Sequence, residues 1–258
     1  MPKKVFSSSF KSLIFIVFLL LVIVLPTTVK AAPQIEVVST SSYIGPYGYY
    51  TVVGEVHNVG DQTALSVEIS ATFYNDDDAV LGTHIASYGD VALNMLLPDR
   101  KSPFSFVFLN TTNALLVDHY SLNVDFTPSD LHFPEKLEIT SHSSSIDNGH
   151  MLIVGEVENT GDLTASIVKV IATCYDEAGT VVEAGYRYLN DNIEANQKAA
   201  FQIDIFSENV PLINSYELTA ESINYTAIPE FNSYILTILT ALVVSISLLL
   251  YKRKIIKN

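Results

Sequence analysis

Val67, Ile69, Ala71 and Phe73 alternate with polar residues along one short segment, and Val168, Val170, Ala172 and Cys174 hold the same alternate positions 101 residues later. Phe104, Phe106 and Phe108 alternate in the same way, as do Phe201, Ile203 and Ile205. A period of two puts every second side chain on one face, so each segment reads as a half-buried strand. Comparable β-branched and aromatic runs predict strands over 35–39, 49–58, 64–74, 80–87, 102–109 and 120–126. In the second half of the chain they predict strands over 137–141, 151–158, 164–175, 181–188, 199–206 and 216–222. Turn residues punctuate these runs at short intervals, which is the pattern of a β-sandwich. No segment carries a ten-residue amphipathic helix.

The parallel between the halves is a repeat. Residues 54–75 read GEVHNVGDQTALSVEISATFYN and residues 155–176 read GEVENTGDLTASIVKVIATCYD, identical at 12 of 22 positions. A fixed period of this kind sets the architecture before any other feature. It predicts an all-β chain of two tandem sandwich domains, 32–128 and 137–228, arranged as beads. Ser129–Lys136, with Pro134 inside and Pro128 just before, contains no repeat element and reads as the linker. Asn58 with Gly60-Asp61, and Asn159 with Gly161-Asp162, suit Asx turns and positive φ at a chain reversal.

The two ends read differently. Lys3, Lys4 and Lys11 precede an apolar run from Leu13 to Leu25, followed by Pro26 and the short residues Val29 and Ala31. That order of basic, apolar and small residues is a secretory signal peptide spanning residues 1–31, cleaved after Ala31. A retained anchor is the alternative, although thirteen residues fall short of the ~20 that span a bilayer. Tyr234–Tyr251 carries no charge in 18 residues and would reach about 27 Å as a helix. Lys252, Arg253, Lys254 and Lys257 follow, so the positive-inside rule puts the C-terminus in the cytoplasm and residues 32–228 outside the cell.

Pro229-Glu230-Phe231, the apolar segment and the basic end together resemble the PEF-type sorting signals of archaeal surface proteins. The resemblance implies a sorting protease acting near the motif and re-anchoring of the exported part at the cell surface. A plain single-span anchor is the other reading. The repeat itself resembles the FxLyD-type Ig-like module of prokaryotic surface and secreted proteins. The likeness rests on Gly54, Val56, Asn58 and Gly60, on their counterparts Gly155, Val157, Asn159 and Gly161, and on Phe73-Tyr74-Asn75 and Cys174-Tyr175-Asp176. It implies Ig-like sandwiches with an adhesion, scaffold or spacer role. Cys174 departs from the aromatic pattern, and Asp78 stands where the second copy has Gly179.

Between Ala32 and Ile228 there are 27 acidic residues and six basic ones, a formal charge of −21. Such a field repels phosphate backbones, which excludes nucleic acid as a natural partner. Cys174 is the only cysteine, so no internal disulfide forms, and its match to Phe73 predicts a buried, inert thiol.

Candidate chemistry is sparse. Asp76, Asp77 and Asp78 form the densest acidic run and a weak calcium candidate; starting at Asn75, the loop lacks the Gly and Glu of an EF-type site. A solvated hairpin tip is the simpler reading. His57, His84, His119, His132, His142 and His150 are scattered and none is duplicated. Asn110-Thr111-Thr112 and Asn224-Tyr225-Thr226 are glycosylation sequons on the exported side. No catalytic or phosphate-binding motif appears, so the expectation is a chain that is not an enzyme and takes no cofactor. It is expected to be a tethered surface protein whose repeats bind a protein or cell-envelope component or act as a spacer. The alternative is an accessory subunit of an exported transporter or surface-enzyme complex.

Overall fold

The computed structural model describes residues 34–45, 47–84 and 91–227, so the leader, the PEF motif and the segment Tyr234–Tyr251 lie outside the described residues. The described chain is all-β. Its first half contains β1 (Ile35–Ile44), β2 (Tyr50–Asn58), β3 (Thr63–Tyr74), β4 (Val80–His84), β5 (Met95–Leu96), β6 (Lys101–Phe108) and β7 (His119–Ser129). The second contains β8 (Glu135–Asp147), β9 (His150–Asn159), β10 (Lys169–Tyr175), β11 (Val181–Tyr188), β12 (Lys198–Phe206), β13 (Ser215–Glu221) and β14 (Thr226–Ala227). The short pieces β5 and β14, the helical turn α1 (Thr111–Ala114) and a 3-10 turn at Val210–Leu212 have too few residues for a periodic signal.

In the first half a sheet β1-β2-β6 faces a sheet in which β3 pairs with β4, β5 and β7. The second half repeats this as β8-β9-β12 and β11-β10-β13. There β14 joins the two into one seven-stranded sheet, antiparallel to β13 and parallel to β8. The alternating positions supply the cores. Val52, Val56, Ile69, Phe73, Phe104 and Phe106 pack in the first half; Ile153, Val157, Val170, Cys174, Phe201 and Ile203 pack in the second.

Two local readings need correction. Asn58 and Asn159 do form Asx turns, each accepting from the amide two residues on (Gly60, 3.1 Å; Gly161, 3.0 Å). The positive φ angles lie elsewhere, at matched sites: Ser66 (50°) and Ile167 (53°), and Asp78 (60°) and Gly179 (80°). Gly161 is small for a different reason. A Cβ there would stand 2.4 Å from Cζ of Tyr225, whose hydroxyl accepts from the Leu163 amide and donates to Asp162. The strand expected over 164–175 begins only at Lys169, because Ile167 leaves the extended region just before it.

The connection between halves is also shorter than expected. β7 runs to Ser129 and β8 starts at Glu135, and the Pro134 carbonyl accepts from the Thr226 amide at 3.0 Å. The described residues of both halves belong to one compact unit. β10 explains why. Its inward residues Val170, Ala172 and Cys174 fill the second core, while Lys169, Ile171, Thr173 and Tyr175 point the other way and are buried too. Ile171 packs into the first half's core. The matching outward residues of β3 are Glu68, Ser70, Thr72 and Tyr74.

Candidate functional site

The repeated asparagines are structural. Asn58 is fully buried, and its Nδ2 donates to the carbonyls of Gln62 (2.7 Å) and Leu96 (2.9 Å). Asn159 repeats this with Leu163 (2.8 Å) and Ile193 (2.9 Å). The repeated glycines are structural as well. A Cβ on Gly54 would lie 2.4 Å from both Phe104 Cζ and the Ser39 carbonyl; on Gly155 it would lie 2.6 Å from Phe201 Cζ and 2.3 Å from the Ser141 carbonyl. The residues that recur most clearly therefore hold the scaffold together.

The acidic run is a hairpin tip. Asn75 Oδ1 accepts from the amides of Asp77 (3.1 Å) and Ala79 (2.7 Å), and Asp76, Asp77 and Asp78 stay exposed around it. Among the described residues no group of three or more His, Cys, Asp or Glu side chains is placed to hold a metal. The histidines stay apart. His57 contacts Asp99 (3.2 Å), His119 contacts Asp118 (3.1 Å) and stacks on Tyr74, and His142 contacts the Tyr216 hydroxyl (2.8 Å). His84 stacks on Phe106, and His150 meets Phe206 edge-on. Cys174 is fully buried; burial first, and then the charge of Glu183, pushes its thiol up to about 12.

The sequons differ in access. Asn110 caps α1 through an exposed side chain that accepts from the Asn113 amide at 3.1 Å. Asn224 is half-buried, its Nδ2 donates to the Thr164 carbonyl at 3.0 Å, and Thr226 beside it is buried.

Sequence reasoning missed the polar network between the halves. Lys169, 4% exposed, lies 2.8 Å from Glu221 Oε1 and donates to the Ala92 carbonyl. Glu221, also 4% exposed, accepts from the backbone and side-chain amides of Asn94 at 3.0 and 2.8 Å. Burial raises its pKa, and Lys169 opposes that shift. Tyr175 donates to Glu55 (2.7 Å), which also meets Lys101 (3.1 Å). Ser41 donates to the Val181 carbonyl (2.6 Å), Ser39 accepts from the Val181 amide (2.9 Å), and Tyr43 donates to Glu183 (2.9 Å). Arg100 reaches the Ala227 carbonyl (3.0 Å) and Thr219 (2.8 Å). The replacement of Glu68 by Lys169 and Ser70 by Ile171 at outward strand positions was the available signal.

An open groove of about 860 Å³ lies on the outer face of β8-β9-β12, with Ser141, Ser143, Val154, Glu156, Arg187 and Lys198 among its walls. No helix among the described residues is long and apolar enough to cross a membrane.

No family model matches the chain, and no curated protein matches it. Solved structures similar to it include red sea bream transglutaminase, at 10% identity and a TM-score of 0.25, over 79% of this chain and 32% of that one. Another is β-glucuronidase 2 of Bacteroides uniformis, at 13% identity and a TM-score of 0.29, over 75% of this chain and 31% of that one. The chain thus spans about a third of the length of those structures. Both are enzymes, which corrects the expectation that this chain is not one: that exclusion is withdrawn. At these TM-scores the likeness carries no argument for an activity.

Proposed function

We propose that the chain is a membrane-tethered cell-surface protein whose halves are Ig-like modules of the FxLyD type, and that they present a binding face or act as a spacer outside the cell. One observation carries this reading. The polar and glycine positions that recur between the copies, Asn58 and Asn159, Gly54 and Gly155, are engaged in holding strands and turns together, so the duplication preserves a scaffold. The basic-apolar leader and the uncharged segment Tyr234–Tyr251 with its basic end support export and tethering. The acidic charge supports a soluble, salt-tolerant exterior.

The test is fractionation of cells expressing the full chain, followed by protease treatment of intact cells. Sedimentation with membranes and loss of residues 32–228 to the added protease is the expected result; a protected ectodomain overturns the reading. Mass spectrometry of the mature protein separates the two anchors. Loss of everything beyond Phe231 supports sorting at Pro229-Glu230-Phe231, and recovery of Lys254–Asn258 supports a plain span. Where the host glycosylates, sugar is expected on exposed Asn110 and not on Asn224, whose amide is engaged with Thr164.

The open groove on the second half favours a second reading, an accessory subunit docked on an exported transporter or surface enzyme. Capture of one stoichiometric membrane protein by the full chain from native envelope would support it.

A further inference from the structure

The contact between the halves is a template that the chain uses once and offers a second time. Its accepting side is on β1 and β2: Ser39 and Ser41 bond the Val181 backbone, Val53 packs against Tyr175 and Val181, and Glu55 takes the Tyr175 hydroxyl. In the second half the same four residues recur in the same register. Ser39 faces Glu55 and Ser41 faces Val53 across β1-β2; Ser141 faces Glu156 and Ser143 faces Val154 across β8-β9, after a bulge at the matching place. The donating side recurs as well. Tyr175 pairs with Val181 across β10-β11, and Tyr74 pairs with Val80 across β3-β4.

The used and unused versions differ in exposure. Val53 and Val181 are fully buried, whereas Val154 is 37% and Val80 is 61% exposed. Glu55 is buried beside Lys101, and Glu156 is exposed at 3.9 Å from Lys198, which begins β12 as Lys101 begins β6. Ser141, Ser143, Val154 and Glu156 wall the open groove. β1, β4, β8 and β11 carry these contacts; β1, β4 and β11 are sheet edges.

We infer that the groove on the second half receives the β3-β4 face of a second copy of this chain, with Tyr74 and Val80 set against Val154 and Glu156 as Tyr175 and Val181 are set against Val53 and Glu55. Because the two surfaces are different and lie on different halves, the contact is head-to-tail, and copies add one after another into an open filament or a larger ring. The intermolecular version is weaker than the internal one. Glu68, Ser70 and Gly82 replace Lys169, Ile171 and Glu183, which removes the buried ion pair and one apolar anchor. Two acidic chains also repel, so association strengthens as salt screens that repulsion. The inference does not depend on tethering, although confinement to a surface would raise the effective concentration.

The test uses the full chain in detergent micelles carrying Val80→Cys and Val154→Cys, treated with a short bismaleimide. Cys174 is buried and stays silent. The double variant is expected to give a ladder of dimers, trimers and higher species that grows with salt. Each single variant alone should remain monomeric, and a mixture of the two singles should stop at dimers. Tyr74→Ala in the double background should reduce the ladder several-fold while circular dichroism stays unchanged. Three results overturn the inference: no ladder although both thiols react with a monofunctional maleimide, dimers from a single variant, or a ladder indifferent to Tyr74→Ala. A cross-link from Val154→Cys only to a different protein in native envelope would assign the groove to that partner and overturn it too.

Discussion

The ring of Phe104 lies over Gly54 across the β2-β6 pair, and Phe201 covers Gly155 in the same way across β9-β12. An aromatic ring over a glycine covers backbone that would otherwise face a void, and the glycine makes the room that the ring needs. On the glycine's other side the carbonyl of Ser39 or Ser141, brought in by a bulge, closes the space. Gly54→Ala and Gly155→Ala are therefore expected to destabilise by about 1–3 kcal/mol, the usual cost of overpacking. Urea unfolding measures this, and an unchanged midpoint at either site would remove the argument.

Phe104→Ala and Phe201→Ala should each cost about 3–5 kcal/mol, as for other buried phenylalanines. Combined with the glycine substitution in the same pair, the loss should be smaller than the sum, because the ring that clashes with the new methyl is gone. Strict additivity in that cycle would show that the two residues do not share the space.

Asn58→Ala and Asn159→Ala each remove two side-chain donors, to the carbonyls of Gln62 and Leu96 or of Leu163 and Ile193, and the acceptor of one amide, Gly60 or Gly161. A buried group that loses its partner costs about 1–3 kcal/mol, so each substitution should lower stability by about 1–3 kcal/mol. Equal losses at the two sites are expected from their matching partners, and differential scanning calorimetry reads them directly.

Lys169→Met alone should be strongly destabilising, by about 3–5 kcal/mol, because it leaves the Glu221 carboxylate buried without its cation. Lys169→Met with Glu221→Gln should recover most of that loss. Both halves should unfold in one transition, since the pair and Ile171 tie them together; two separate calorimetric peaks in the unmodified protein would contradict this.

Alkaline pH should weaken the fold. Cys174 and Tyr43 are both pushed up to about 12 by burial first and Glu183 next. The unfolded chain releases these protons at the ordinary values of 9.0 and 10.0, while the folded chain still holds them. The unfolded state then binds fewer protons, so stability falls as pH rises from about 9 towards about 12. Denaturant titrations across that range check the sign, and Cys174→Ser should reduce the slope.

Period-two stripes, turn residues and a repeat at constant spacing determined the strands, the all-β class and the equivalence of Gly54 with Gly155 and Asn58 with Asn159. These are local properties: alternation is written residue by residue, and duplication preserves it. Why the repeated residues are needed was decided only in three dimensions, since Gly54 meets Phe104 and Asn58 meets Leu96 from strands far apart in sequence. The positive φ at Ser66 and Ile167 was hidden as well, because neither residue type favours it. The merging of the halves was written faintly, in Ile171 and Lys169 standing where the first copy has Ser70 and Glu68. A single apolar or basic residue on an outward strand position does not say what covers it. That depends on which faces meet when β11 packs against β2 and β10 against β6, a relationship no alternation pattern encodes.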